Sequence, residues 1–226
     1  TVIFPHTTNK FQEIWKQLVA TSLDVIRTEF KTQQDVNMVL CGNIPIACGL
    51  SSSSALVISI TQTFCRLFSL QIEDRELAHL CQKIENKALG TASGLLDQYG
   101  IILSKKNHFM AIDFQDNSIE YIPVSLNECS WVVINSQIQR ELSESAYIQR
   151  VNECKEGLEI LKREYNISSF RDIDKSMLQG LKNKSNILYK RFCHVIGEND
   201  RVQVMKDHLQ RGELHKIGII LKESHD

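Results

Sequence analysis

The sequence has little proline and little glycine, 3 and 10 residues among 226. That scarcity excludes collagen-like and linker-rich chains, and it makes each glycine cluster worth reading. No apolar run approaches the roughly 18 residues of a membrane helix; Ser, Thr, Gln or charge breaks every one, so no membrane partner is expected. Charge of one sign is also missing. Lys plus Arg number 26 against 27 Asp plus Glu, and this net charge of −1 leaves no basic stripe for nucleic acid. The 7 cysteines (41, 48, 65, 81, 129, 154 and 193) form no CxxC and no Cys/His pair at zinc-finger spacing. Neither a disulfide framework nor structural zinc is expected; free thiols in a reducing cytoplasm are. The chain opens on Thr1-Val-Ile-Phe-Pro-His6, without the basic and apolar regions of a secretory signal, and its lack of an initiator Met suggests a trimmed chain or a fragment.

What is present is the composition of a globular chain, 42% hydrophobic and 23% charged. At about 150 residues per domain it corresponds to one or two domains, with enough chain to bury a core without staples. Phe11, Ile14, Trp15, Leu18, Ser22, Leu23 and Ile26 recur at helical spacing, which predicts a helix over 8–30. Val36 to Leu40 reads as a short strand. Leu56 to Phe68 is apolar on nearly all sides and reads as a buried helix, and Leu77, Leu80, Cys81, Ile84 and Ala88 mark a further amphipathic one. Phe109 to Phe114 and Ile119 to Val124 flank a polar turn and predict a hairpin, and Trp131 to Ile134 a compact strand. Tyr147, Val151, Cys154, Leu158 and Leu161 then open a helical second half, interrupted near Asn166 to Asp174 and at Gly212. The class is α+β, with a domain boundary expected near residue 125, giving 1–125 and 126–226.

Two segments carry chemistry. In Asn43-Ile-Pro-Ile-Ala-Cys-Gly-Leu-Ser-Ser-Ser-Ser-Ala55 a turn and four hydroxyl residues open a helix with no acidic group near its start. The first turn of a helix leaves N–H groups without partners and carries positive potential, so small residues there make a cradle for phosphate. Serine N-caps on a core helix explain the same residues equally well. The Lys-containing nucleotide loop GxxxxGK[ST] occurs nowhere. In the second segment, Glu85 to Gly100, Gly90 fits a helix C-terminus and Gly94 suits close backbone approach. Asp97 stands among Leu95, Leu96, Ile101, Ile102 and Leu103, where a carboxylate is expected to be paired or functional.

Together these segments resemble the GHMP kinases, and within them the galactokinase branch. That branch has a P-x-G-x-G-L-S-S-S-A-type phosphate loop, a glutamate on the next helix, then G-[IV]-M-D-Q-F. This chain reads Pro45…Gly49-Leu50-Ser51-Ser52-Ser53, Glu85, and Gly94-Leu95-Leu96-Asp97-Gln98-Tyr99. Asn135 through Arg140-Glu141-Leu142 to Tyr147 and Arg150 is similar to the family's N-[ST]…R-E-L…S-x-Y-x-x-R. His194-Val-Ile-Gly-Glu198, Gly212-Glu213 and Glu223-Ser224-His225 are similar to its helical region further on. The resemblance implies a two-lobed α+β GHMP-kinase fold, with a ribosomal-protein-like N-terminal lobe and a partial ferredoxin-like helical C-terminal lobe. It implies a sugar 1-kinase using ATP and Mg²⁺, with galactose as leading substrate. Gly49, Leu50, Ser51, Ser52, Ser53 and Ser54 would hold the phosphates, Ser53 and Glu85 the Mg²⁺, and Asp97, Gly94 and Tyr147 the sugar. Asp97 would act as proton acceptor or fixed charge, in a cleft between the lobes and facing the Ser51–Ser54 turn.

The chain also departs from the pattern. The family's first motif, with its Arg and Glu-His-x-Asp, and its glycine-rich third motif are absent, so the chain is expected to be the middle of a longer kinase, with apolar surface left bare and open to self-association. The full-length form is expected to be monomeric. Ala47 stands at a usual glycine, Ser93 at a usual Cys, Leu96 at a usual Met, and Gln139 at a position that is usually basic in bacterial galactokinases. The competing readings are a C1 kinase for galacturonate, N-acetylgalactosamine or another hexose, and a non-catalytic sugar and ATP sensor on the same fold.

Overall fold

A computed structural model describes residues 14–46, 48–123, 132–135 and 144–225. They fall into two compact units, one drawn from residues up to Ser104 together with 132–135, the other from Lys105 onward without that segment. The lobe boundary expected near residue 125 lies beyond the hairpin, whereas the compact packing breaks before it.

The first unit is built on three helices, α1 (Ile14–Glu29), α2 (Ser52–Leu67) and α3 (Asp74–Leu89), followed by the short α4 (Leu96–Ile102). Each long helix turns one apolar stripe inward. Leu18, Val19, Leu23 and Ile26 of α1, Val57, Ile60 and Phe64 of α2, and Leu77, Cys81 and Ile84 of α3 form the core. The expected helices are therefore present, although residues 8–13 of the first lie outside the described residues. The α2 helix is not apolar all round: Ser59, Thr63, Arg66 and Leu67 face solvent. At the start of α3 the Glu73 N–H donates to the Glu76 carboxylate at 3.4 Å. At its end Gly90 takes a left-handed φ of 67°, which suits glycine and terminates the helix where expected.

In the second unit β1 (His108–Asp113) and β2 (Ser118–Pro123) pair antiparallel, Met110 opposite Tyr121 and Asp113 opposite Ser118. This is the expected hairpin. Its turn is held by Asp113 and Asp116, whose carboxylates accept from the N–H groups of Gln115 and Ser118, each at 2.8 Å. Helices α5 (Glu144–Glu164), α6 (Leu178–Lys184), α7 (Asn186–Arg211) and α8 (Leu214–His225) complete it. Leu161, Leu178, Leu181, Leu188, Phe192 and Ile196 form its core. The hairpin is tied to α7 through Glu120, which accepts from Lys206 at 2.5 Å and from Gln210 at 3.1 Å.

Two expected strands do not form among the described residues. Residues 36–40 and 132–134 carry no regular secondary structure, Trp131 lies outside the described residues, and β1 and β2 are the only strands among those described. Val36 and Met38 pack on the first core while Val39 is 95% exposed. Alternating burial satisfies the side chains, but a strand also needs a second backbone to complete its hydrogen bonds.

Gly157 lets α5 and α7 close. A methyl group there would run into the ring of Phe192, which is itself fully buried. Gly157→Ala is expected to destabilise the second unit by about 1–3 kcal/mol through overpacking, read by urea denaturation. A wild-type midpoint would show that the ring has room to yield.

Candidate active site

The turn before α2 holds two residues with left-handed backbone, Gly49 at φ 73° and Ser51 at φ 54°. Ser51 occupies the N-cap position, yet its side chain makes no capping hydrogen bond. The first N–H bonded within the helix is that of Ala55, to the Ser51 carbonyl at 2.9 Å. The N–H groups of Ser52, Ser53 and Ser54 are thus left outside the helical ladder, at an end with no acidic residue in the first turn.

The serine hydroxyls reach inward instead. Ser53 Oγ donates to Glu85 Oε1 at 2.6 Å and Ser54 Oγ to Glu85 Oε2 at 2.7 Å. Gln98 Nε2 donates to the same Oε2 at 2.7 Å and to Ser54 Oγ at 3.3 Å. Glu85 is 6% exposed, Ser54 and Gln98 1% each. Of the two readings the sequence left open for the serines, side-chain capping by Ser51 is therefore not what the structure shows. One acidic side chain joins the starts of α2 and α4 to the end of α3. One polar atom in this network stays orphaned: Gln98 Oε1 is buried without a hydrogen-bond partner.

For Asp97 the expectation is a paired or a functional carboxylate, and the pairing is absent among the described residues. Asp97 sits in the first turn of α4, exposed, with no ion pair or hydrogen bond among the described residues. Its apolar neighbours in sequence are not its surroundings, because helical geometry sends Gln98 and Tyr99 inward and leaves Leu96 60% exposed. The result is a carboxylate open to solvent one residue from the Glu85 network. At Gly94 a Cβ would meet nothing within 4 Å, so no packing demands glycine there. Cys48, beside the phosphate turn, accepts from Asn135 Nδ2 at 3.3 Å.

The structure thus brings Ser53, Ser54 and Glu85 together and sets Asp97 on the adjoining helix. Tyr147 lies on α5 of the second unit, 54% exposed. Ala47 and residues 136–143, Gln139 included, lie outside the described residues. The later motif residues are structural ties: Glu198 pairs with Arg201 and accepts from Ser224 Oγ at 2.8 Å, and Glu213 joins His208 at 2.5 Å and Lys216 at 3.0 Å. The Arg201 and Ser224 hydrogen bonds hold Glu198 below the usual carboxylate pKa against its partial desolvation. Sequence reasoning missed Gln98, and it missed Asn86, the residue directly after Glu85. The signal for both was a polar amide beside a candidate acid.

As a metal site, Ser53 Oγ and Glu85 Oε1 offer two hard oxygens beside N–H groups that, among the described residues, lie outside the helical ladder. This suits Mg²⁺, which takes few protein ligands and completes its shell with phosphate and water. Among the described residues no group of three or more His, Cys, Asp or Glu gathers as a cage for an ion.

Residues 17–105, the helices that carry this network, match the model of the GHMP kinases N terminal domain. The galactokinase of Clostridium perfringens strain 13 is 32% identical over 220 residues, 96% of this chain and 57% of that protein. The galactokinase of Fusobacterium nucleatum is 29% identical over 213 residues, 93% of this chain and 54% of that one. The crystal structure of Lactococcus lactis galactokinase complexed with galactose superposes with a TM-score of 0.86 at 29% identity, over 96% of this chain and 56% of that one. Residues 17–105 thus carry the likeness to the GHMP kinases N terminal domain. The chain's fold is the α+β fold of that family, and the chain spans a little over half the length of the curated relatives it matches.

The buried network has a measurable signature. Glu85→Ala strands two serine hydroxyls and an amide, and is expected to destabilise the first unit by about 1–3 kcal/mol. Asp97→Ala, on an exposed and unpaired group, is expected to stay within about 0.5 kcal/mol of wild type. Equal losses in denaturant titrations would contradict this assignment of buried and open carboxylates.

Proposed function

We propose that this chain carries the phosphate turn and acceptor carboxylate of an ATP-dependent sugar 1-kinase of the galactokinase type. The observation that carries the reading is the buried hold of Ser53, Ser54 and Gln98 on Glu85, next to an unpaired, exposed Asp97. The likeness to galactokinases over nearly the whole chain supports galactose as the sugar.

The N–H groups of Ser52 to Ser54 and the backbone of Gly49 to Ser51 bind the nucleotide phosphates. Ser53 and Glu85 would hold Mg²⁺, which would supply charge neutralisation for the nucleotide phosphates. Asp97 orients the C1 hydroxyl and accepts its proton as the oxygen attacks the γ-phosphorus. The new bond joins C1–O to that phosphorus, the bond from phosphorus to the β-γ bridging oxygen breaks, and ADP leaves with the electron pair. Phosphoryl transfer asks for positioning and charge neutralisation more than covalent chemistry, so a single acceptor carboxylate suffices. Gly94 contacts the sugar, and the open space there leaves room for it; the role of Tyr147 as a sugar contact rests on family likeness alone.

The reaction belongs in the cytoplasm. Cys65 and Cys81 are buried free thiols, with burial pushing Cys81 up to about 12, in keeping with a reducing compartment. Among the described residues no helix is long and apolar enough to cross a membrane.

ADP release with MgATP and a panel of hexoses, galactose and galacturonate included, tests this reading. Turnover with one sugar that falls about 10²-fold or more in Asp97→Asn is the expected result. Nucleotide binding without turnover on any sugar would replace the kinase with a sensor.

A further inference from the structure

The last turn of α3 points two successive side chains in different directions, since neighbours on a helix lie about 100° apart. Glu85 faces the phosphate turn. Asn86 faces the loop that leads to Gly94 and Asp97, and it holds that loop almost by itself. Its Oδ1 accepts from Thr91 Oγ1 at 3.0 Å, from the Ser93 N–H at 2.9 Å and from Ser93 Oγ at 2.8 Å. Its Nδ2 donates to the Ser93 carbonyl at 3.2 Å. Its own carbonyl accepts from the N–H groups of Gly90 and Thr91. Gln82, one turn earlier, adds a bond from Nε2 to the Ser93 carbonyl at 2.9 Å. Both backbone polar groups and the hydroxyl of Ser93 are thus committed to α3.

The loop needs this hold. Past Ser93 come Gly94, with nothing packed where a Cβ would stand, and Leu95, which starts α4 without a side-chain cap. A helix of 7 residues with no cap is marginal on its own. From within the protein it is anchored by Gln98 and Tyr99, which are buried behind Asp97. From upstream it is anchored through Ser93.

We propose that Asn86 is the positioning residue of the acceptor-sugar segment, fixing Gly94 and Asp97 in register with Glu85 on the same helical turn. The inference deepens the kinase reading and rests on it. An asparagine suits the task because three donors and one carbonyl meet at a single side chain, which asks for an acceptor and a donor on one rigid plane. Aspartate keeps the acceptor and three of these four side-chain bonds. Alanine keeps none.

The test measures sugar and nucleotide affinities separately by calorimetry, with amide hydrogen exchange, in wild type, Asn86→Ala and Asn86→Asp. Asn86→Ala is expected to weaken galactose binding about tenfold or more while nucleotide affinity stays within about twofold, since lost hydrogen bonds each count for roughly a factor of ten or less. Exchange at Ser93 and the following amides should quicken about tenfold, and Asn86→Asp should restore most of both. Should Asn86→Ala fail to fold, Gln82→Ala removes the parallel bond to Ser93 and is expected to show the same split at a smaller size. Faster exchange at Ser93 with unchanged sugar affinity would overturn the positioning role. So would a joint loss of sugar and nucleotide binding that aspartate does not restore, which marks a purely structural residue. Failure of the kinase reading looks different: wild type itself binds no hexose, and both inferences fall.

Discussion

The site depends on one buried acidic side chain with three donors around it. A carboxyl group at 6% exposure is costly to bury unless every oxygen is engaged, and Glu85 meets that condition with Ser53, Ser54 and Gln98. Each donor comes from the end of a different helix or from the first turn of α2, so satisfying this group sets α2, α3 and α4 against one another. The apolar stripes of α1, α2 and α3 supply the burial that makes the network rigid, since in a dry site a half-satisfied polar group is worse than an apolar one. The orphaned Gln98 Oε1 is the remaining exception, and it stands at this same junction.

From that hub the chemistry divides by exposure. Groups that hold are buried: Glu85, Ser54, Gln98, and behind them Tyr99, whose hydroxyl lies 3.4 Å from His79 Nε2. The groups proposed to meet ligand lie toward solvent: the first turn of α2, Asp97, and the space at Gly94. Consecutive residues face opposite ways, Asp97 outward and Gln98 inward, and Glu85 toward the start of α2 while Asn86 faces the loop before α4. This economy follows from helix geometry, in which adjacent positions address different faces.

How much of this could be read from sequence follows from what each feature depends on. The helices around Leu23, Phe64 and Cys81, and the hairpin at 108–123, are periodic patterns flanked by turn residues, so they were legible. Residues 36–40 and 132–134 were misread as strands because their apolar pattern is local while a strand needs a partner elsewhere. Asp97 was expected to be paired or functional because its sequence neighbours are apolar; it is not paired among the described residues, since on a helix those neighbours lie on other faces. Glu85 and Ser53 were located through motif likeness, not through spacing. Gln98 and Asn86 stayed hidden because an amide says nothing about its target until the fold brings that target near. Whether Ser51 caps the helix likewise needed coordinates, which show it making no side-chain cap, with Ser53 and Ser54 turned to Glu85.

The central claim is that Glu85 both organises the phosphate turn and, with Ser53, takes the ion that accompanies ATP. Calorimetric titration of ATP with and without Mg²⁺, into wild type and Glu85→Gln, tests it most directly. The account predicts that Mg²⁺ tightens ATP binding in wild type, and that this gain disappears in the variant while metal-free ATP binding persists. The same Mg²⁺-dependent gain in both proteins would contradict it.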